Sequence, residues 1–179
     1  MNRDGLAHLL RAVAAATGET EILVIGSQAI LGSFDATELP AITTVSVEAD
    51  LGSLDARGDE VADAIDGVVG ELSPFHQTFG YYGQGISVTT AVLPAGWRDR
   101  LVEFATEDTR PGRGWCLEPH DLVISKLVRG DPKDYDFADA LVRMAAVHQP
   151  VLTARLATTD IPDLDRARIS RWIERGFRA

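Results

Sequence analysis

The sequence predicts an α/β domain in which a mixed β-sheet is flanked by helices and followed by a helical tail. A short run of branched apolar residues, Glu21–Ile25, has the composition of a buried strand. Residues 43–51 alternate between apolar and polar side chains, which indicates a second strand. The last third of the chain has helical spacing, interrupted by proline and glycine. Strands that precede a run of helices are typical of this fold class.

Helices and strands are expected to alternate in the first half. Apolar residues at helical spacing open the chain, and Gly18 ends that helix. Gly26 and Ser27 close the first strand abruptly, and residues 29–31 have the composition of the first turn of a helix. The expected elements are a helix at 4–17, strands at 21–25 and 43–51, a helix at 59–69, a strand with a turn at 74–85, and a strand at 86–93.

The second half is expected to end in helices. Residues 97–105 fit either a helix or a strand, and Pro119 is well placed to open a helix. The other expected elements are a fourth strand at 114–117, helices at 120–128 and 133–148, and two helices after residue 150.

Length and composition favour a single globular domain. Its 179 residues are expected to form one unit, with a core at about 20–118 and a helical part at about 119–179. Hydrophobic residues make up 45% of the chain, which excludes disorder over most of it. A single cysteine excludes a disulfide framework and a cysteine-rich zinc site. No apolar run approaches the roughly 18 residues of a membrane span, so we expect no membrane partner and a cytoplasmic location.

The negative charge is concentrated in the first half of the chain. The net charge is −10, and residues 1–95 hold 13 acidic and 3 basic residues, whereas residues 96–179 hold 14 of each. Any RNA-binding face is therefore expected in the second half, with Arg110, Arg113 and Arg129 as candidates. The last helix and the residues after it add five arginines, for which a solvated face with ion pairs is an equal alternative: Arg166, Arg168, Arg171, Arg175 and Arg178.

Two neighbouring strands are expected to bring phosphate and metal ligands together. The first ends at Gly26 and Ser27, where free backbone N–H groups and a hydroxyl suit a phosphate. The next carries Glu48 and Asp50, which share a face because they are two residues apart. These carboxylates repel each other unless a cation lies between them, and their oxygens suit Mg²⁺ or Mn²⁺. Together the features indicate nucleoside triphosphate (NTP) chemistry, although each alone also fits a plain turn or a solvated acidic face.

Two stretches carry a resemblance to known families. Val24-Ile25-Gly26-Ser27, followed about twenty residues later by Glu48-Ala49-Asp50-Leu51, resembles the signature of the polymerase-β-type nucleotidyltransferase superfamily. The stretch from Cys116 through Lys126 to Asp134 is similar to a motif of AbiEii/MenT-like nucleotidyltransferase toxins. The resemblance implies a nucleotidyltransferase fold, a divalent metal (Mg²⁺ or Mn²⁺) and an NTP donor. In toxin relatives it implies transfer to the 3′ end of tRNA and a partner antitoxin.

The resemblance assigns roles at the expected strand ends. Gly26 and Ser27 would hold the triphosphate, and Glu48 and Asp50 would bind the metal as catalytic residues. Glu48 stands where many relatives have aspartate. Relatives also often carry a third carboxylate on a following strand, and the expected strand at 86–93 has none. The sequence therefore leaves open whether the site binds a single metal ion or the chain is inactive.

Lys126 and Asp134 complete the candidate catalytic set. Lys126 lies at the edge of its helix's apolar stripe, where a partly buried lysine needs an anion, and the resemblance implies that it neutralises phosphate charge. A plain surface lysine is the alternative. Asp134 would orient Lys126 or the incoming nucleophile. The acceptor is expected to be tRNA or another RNA; alternatives are a Ser, Thr or Tyr of a protein, or an inactive domain that binds nucleotide or a partner.

Overall fold

The computed structural model describes residues 1–55 and 58–178, whose strands form one five-stranded mixed sheet. The order across the sheet is β3-β2-β1-β5-β4. The strands are β1 (Glu21–Ile25), β2 (Glu48–Ser53), β3 (Tyr82–Gly85), β4 (Val102–Phe104) and β5 (Arg113–Cys116).

Helices flank this sheet and form the C-terminal part of the described chain. They are α1 (Arg3–Thr17), α2 (Ala41–Thr44), α3 (Gly58–Val69), α4 (Pro74–Phe79), α5 (Pro119–Arg129), α6 (Pro132–Arg143), α7 (Gln149–Ala157) and α8 (Asp163–Gly176). The predicted fold class, an α/β mixed sheet with a helical tail, is confirmed. Among the described helices, none has the length and apolar character that crossing a membrane requires.

The central strand β1 explains why the sheet is stable. Four consecutive side chains from Ile22 to Ile25 are buried, so both faces of this strand are covered. β1 pairs antiparallel with β2 and parallel with β5. One cluster of buried side chains continues from Leu6 in α1 to Ile173 in α8. The carboxyl end of β1 is thereby fixed between β2, β5 and the helices.

The strand predicted at 43–51 is wrong in its first half. Residues 41–44 form the short helix α2, and β2 begins only at Glu48. Both the backbone N–H and the hydroxyl of Thr43 donate to the carbonyl of Pro40, and these local bonds favour a helical turn. Val45 and Val47 therefore lie outside β2, and both are exposed.

The strand predicted at 86–93 is also wrong. A 3₁₀ turn lies at Val88–Thr90, and β3 lies earlier, at Tyr82–Gly85. The backbone N–H and hydroxyl of Thr90 both donate to the Ser87 carbonyl, which competes with strand pairing. The segment 74–85 is a strand only in its second part. Ser73 caps α4 by accepting from the His76 N–H, and proline follows at the first helical position.

Three further segments refine or correct the expectation. The helical turn expected after Gly26 is a 3₁₀ helix, Ser27–Gly32. Residues 97–105, left open between helix and strand, contain a 3₁₀ turn followed by β4. The helix expected at 133–148 ends at Arg143, because Ala145 adopts a left-handed backbone conformation.

Candidate functional site

Asp50 and Gly26 meet at the carboxyl end of β1. Asp50 pairs with Ile25, the last residue of β1, so its side chain reaches the turn that follows. A Cβ atom at Gly26 would overlap the Asp50 carboxylate, and the backbone of Gly26 has a φ of 66°. The positive φ strains any residue other than glycine, and a Cβ atom would also displace the Asp50 carboxylate. The predicted proximity of the Gly-Ser turn to β2 is therefore present in the structure.

The two carboxylates of β2 are half-buried and electrostatically coupled. Burial, and then the neighbouring charge of Glu48, raise the pKa of Asp50 to about 6, with Lys126 and Arg129 opposing the rise. Glu48 also accepts a hydrogen bond of 2.6 Å from the Tyr82 hydroxyl. This carboxylate pair favours a cation in its vicinity.

Lys126 is buried at the opposite wall of the site. Its side chain is only 6% exposed, and its Nζ donates to Ser27 Oγ at 3.0 Å and to Asp134 Oδ1 at 3.3 Å. Its Nζ also lies 4.6 Å from the centre of the Phe137 ring. Burial lowers the pKa of Lys126, while the charge of Asp134 acts against that shift. The structure thus joins Lys126 of α5 directly to the Gly-Ser turn.

Asp134 is a buried counter-ion that contacts two cations of the site, Lys126 and Arg129. It is fully buried in the first turn of α6. Its Oδ2 accepts from Arg129 Nε at 2.7 Å, and its Oδ1 accepts from Lys126. Burial opposes ionisation, but the Arg129 hydrogen bond and the Lys126 charge outweigh it and hold the pKa of Asp134 below its ordinary value. Of the two roles expected for Asp134, the geometry favours orienting Lys126.

Two clefts meet at Asp50, Lys126 and Arg129. The first has a volume of about 290 Å³ and a largely apolar wall that includes Ile25, Ile86, Val92, Leu122 and Val128. The second has a volume of about 150 Å³ and is lined by polar and charged groups together with a rim of exposed apolar residues. Its further lining includes Ser27, Ile42, Val45, Ser46, Glu48, Lys133 and Phe137. A ligand bound in either cleft would therefore lie beside these three shared residues.

Comparison with known families connects this geometry to a protein class. Residues 5–173 match the profile of a family described as "Nucleotidyltransferase of unknown function (DUF6036)". The chain belongs to this family. The predicted membership of the nucleotidyltransferase superfamily is supported by this match, and the chain is a transferase by family. The closer resemblance to AbiEii/MenT-like toxins stays a prediction. The comparisons with curated proteins and with solved structures give no significant match.

The carboxylates of this DUF6036 chain fit a magnesium-type ion that is shared with a substrate. Among the described residues, no group of three or more His, Cys, Asp or Glu side chains is placed to hold a metal. Glu48 and Asp50 alone supply two hard oxygen donors on one face. Mg²⁺ is commonly bound by one or two carboxylates and completed by substrate phosphates and water. Burial is the main cause of the raised pKa of Asp50, and the neighbouring charge of Glu48 adds to it.

Tyr82 was missed by reasoning from the sequence of this DUF6036 member. It faces Glu48 because β3 pairs parallel to β2, with Glu48 opposite Tyr82 and Asp50 opposite Gln84. The strand next to the carboxylates therefore carries no third carboxylate, although it is not the strand that was expected. The strand expected within 74–85 includes Tyr82, but the sequence pattern does not show which residue of β2 lies opposite it.

The three RNA-binding candidates of the DUF6036 chain are not brought together. Arg129 lines both clefts. Arg113, by contrast, pairs with Glu21 at the opposite end of β1 and forms ion pairs with Glu21 and Glu103. Arg110 is exposed and pairs with Glu107. Lys133 lines the second cleft, and no hydrogen bond or ion pair joins its side chain to the described residues.

Proposed function

We propose that this chain is an Mg²⁺-dependent nucleotidyltransferase that moves a nucleotide from an NTP to a hydroxyl at the 3′ end of an RNA, with tRNA the first choice. The single observation that supports the proposal most is the hydrogen bond from Lys126 to Ser27, next to Asp50 and Gly26. It places a buried cation and a glycine-serine turn next to two carboxylates. That combination suits a triphosphate and its metal.

Each residue has a distinct task in the proposed reaction. Gly26 lets the backbone approach the phosphates, and Ser27 offers its hydroxyl. Lys126 balances phosphate charge and is held in place by Asp134. Glu48 and Asp50 would hold Mg²⁺, which when bound withdraws charge from the phosphates.

The chemical step needs positioning and no covalent enzyme intermediate. The acceptor oxygen forms a bond to the α-phosphorus as the bond to the bridging oxygen breaks, and pyrophosphate leaves. The hydroxyl proton passes to solvent. The preorganised charges of Lys126 and Arg129 stabilise the phosphate charge during this exchange.

The RNA preference rests on the family resemblance and on the cations of the second cleft. Arg129 and Lys133 line that cleft. A toxin role with a cognate antitoxin is part of the same proposal. Transfer to a protein hydroxyl is the second candidate, because Ile42 and Val45 at the cleft rim are 45% and 75% exposed. Exposed apolar side chains at a rim suit a protein partner.

Labelled transfer separates these candidates. The chain is incubated with each α-labelled NTP, Mg²⁺ or Mn²⁺, and either total tRNA or cell protein. We expect label at the RNA 3′ end, its loss in Asp50→Asn, and its retention in Asp63→Asn, a control at an exposed carboxylate of α3. Label in protein alone would favour the second candidate. Wild-type protein that neither transfers label nor binds any NTP would refute both.

A further inference from the structure

Arg168 of α8 joins three helices at the edge of the candidate site. Its Nη1 donates to the Leu127 carbonyl at 2.8 Å and to the Tyr135 hydroxyl. Its Nη2 donates to the Val128 carbonyl at 3.3 Å and to Asp165 Oδ1 at 2.8 Å. One guanidinium therefore contacts the end of α5, the start of α6 and its own helix.

These contacts provide hydrogen-bond donors for backbone carbonyls at the end of α5. The last four carbonyls of an α-helix have no partner within the helix. In α5 the Lys126 carbonyl accepts from the Gly130 N–H, and Arg168 supplies donors to the next two carbonyls. The planar guanidinium is suited to such forked binding, which a lysine cannot reproduce.

The segment that Arg168 holds carries the cations of the site. Lys126 and Arg129 lie in the last turn of α5, and Lys133 and Asp134 lie in the first turn of α6. Only Gly130 and Asp131 connect the two helices. The guanidinium lies 3.1 Å from the position that a Cβ atom on Gly130 would occupy. Movement at this connection would therefore shift Lys126 and Arg129 relative to Ser27 and Asp50.

We propose that Arg168 is a positioning residue that fixes the α5–α6 connection and thereby the phosphate-binding cations. Its effect on nucleotide binding rests on the proposed function. Its effect on the local order of α5 and α6 does not. From the sequence, Arg168 was expected either to contact RNA or to lie on a solvated helix face. Its hydrogen bonds to the Leu127 and Val128 carbonyls support neither expectation.

Arg166 provides a matched control two residues earlier in α8. It donates to the carbonyls of Leu156 at 2.6 Å and Thr159 at 2.8 Å. It therefore closes the end of α7 in the way that Arg168 closes the end of α5. Leu156 and Thr159 line neither cleft of the site. Loss of either arginine is expected to lower the melting temperature to a similar degree, but only Arg168 is expected to affect the site.

The first measurement is hydrogen–deuterium exchange of the full chain without ligand. Arg168→Gln should raise exchange in peptides covering residues 124–136, and Arg166→Gln should raise it in peptides covering 152–161. Arg168→Lys keeps the positive charge but removes the forked guanidinium, and it should raise exchange at 124–136 to an intermediate degree. Equal exchange at 124–136 in wild type and Arg168→Gln would overturn the proposal.

The second measurement is calorimetric binding of ATP, GTP, CTP and UTP with Mg²⁺. For any nucleotide that the wild type binds, Arg168→Gln should weaken the affinity about tenfold, the scale seen when a residue supporting a ligand is removed. Arg166→Gln should leave the affinity unchanged, because the carbonyls that Arg166 binds line neither cleft. Increased exchange with unchanged affinity would reduce Arg168 to a purely structural residue and overturn the positioning role. If the wild type binds no nucleotide, the proposed function fails. The exchange measurement then tests by itself whether Arg168 orders the α5–α6 connection.

Discussion

Asp50 occupies a position where burial and Glu48 both oppose its negative charge. Its pKa rises from an ordinary value of 3.8 to about 6 on folding. Between these values the native protein binds more protons than the unfolded chain. The free energy of unfolding contributed by this group therefore falls as pH rises through that window.

We accordingly predict that Asp50→Asn stabilises the metal-free protein at neutral pH. In the presence of a chelator, the free energy of unfolding at pH 7.5 should rise by about 1–3 kcal/mol, since one pKa unit corresponds to roughly 1.4 kcal/mol. The gain should shrink towards pH 4, where wild-type Asp50 is protonated. Urea denaturation at both pH values measures it, with Asp63→Asn as a control. An equal gain at both pH values would contradict the electrostatic cause.

Tyr82 contacts Glu48, the other carboxylate of the candidate metal site. Its hydroxyl donates to Glu48 Oε2 at 2.6 Å and so restricts where that longer side chain points. We predict that Tyr82→Phe weakens Mn²⁺ binding in the presence of NTP about tenfold, because groups that orient metal ligands have effects of this size. Electron paramagnetic resonance of Mn²⁺ gives the affinity directly.

Tyr81→Phe is the matched control for this experiment. The Tyr81 hydroxyl bonds to His8 Nδ1 at 2.8 Å, in an aromatic cluster that includes Phe75 and Phe79. Its removal should change stability by about 1 kcal/mol and leave Mn²⁺ affinity unchanged. If both variants lose affinity equally, or neither does, Tyr82 does not orient Glu48.

At the scale of elements, Asp134 is the link between α5 and α6. It accepts from Lys126 and Arg129 of α5 and from the Asp131 N–H at the start of α6. We predict that Asp134→Ala lowers the free energy of unfolding by about 3–5 kcal/mol, because it leaves Lys126 buried without its counter-charge. Asp131→Ala removes only the cap of α6 and an exposed ion pair, and should cost about 1 kcal/mol.

The pH dependence of this pair gives an independent check. Asp134 has a pKa held below its ordinary value, so its stabilising contribution is complete above that value and is lost as pH falls through the native pKa. Thermal melts of wild type and Asp134→Ala should therefore converge in strong acid. A difference that persists unchanged in acid would indicate a packing effect instead.

The elements with clear boundary signals were predictable from sequence. β1 was predicted at its observed residues, and α1 and α5 nearly so, because apolar periodicity meets glycine or proline at their ends. Residues 43–47 and 86–93 were not predictable in this way. There, Thr43 and Thr90 bond to nearby carbonyls, and such bonds leave no trace in the alternation of apolar residues.

The candidate site was predictable to the extent that it depends on single strands and helices. Spacing along β2 placed Glu48 and Asp50 on one face, and the apolar stripe of α5 placed Lys126 near the interior. The contact of Tyr82 with Glu48 depends on strand register, and that of Arg168 with α5 on helix packing. Neither can be derived from local pattern, because both join residues more than thirty positions apart.

At the scale of the whole molecule, opposite ends of β1 carry different groups of cations. Arg129 and Lys133 line the second cleft, whereas Arg113 aligns with Glu21, four residues before Ile25. Four residues of strand correspond to about 13 Å. An RNA acceptor that meets Asp50 is therefore expected to contact Lys133 before it reaches Arg113.

Charge reversal tests this order. Because Lys133 has no partner within the described part of the chain, Lys133→Glu should weaken tRNA binding and lower the salt slope of log affinity by about 0.7–0.9, as for one lost phosphate contact. The double variant Arg110→Glu/Arg113→Glu should have a smaller effect, because both arginines are already ion-paired. Affinities for tRNA and for NTP are measured over a salt series, and NTP affinity of the double variant serves as the folding control. A larger loss in the double variant would place the RNA along β5, and no loss in either would favour a protein acceptor.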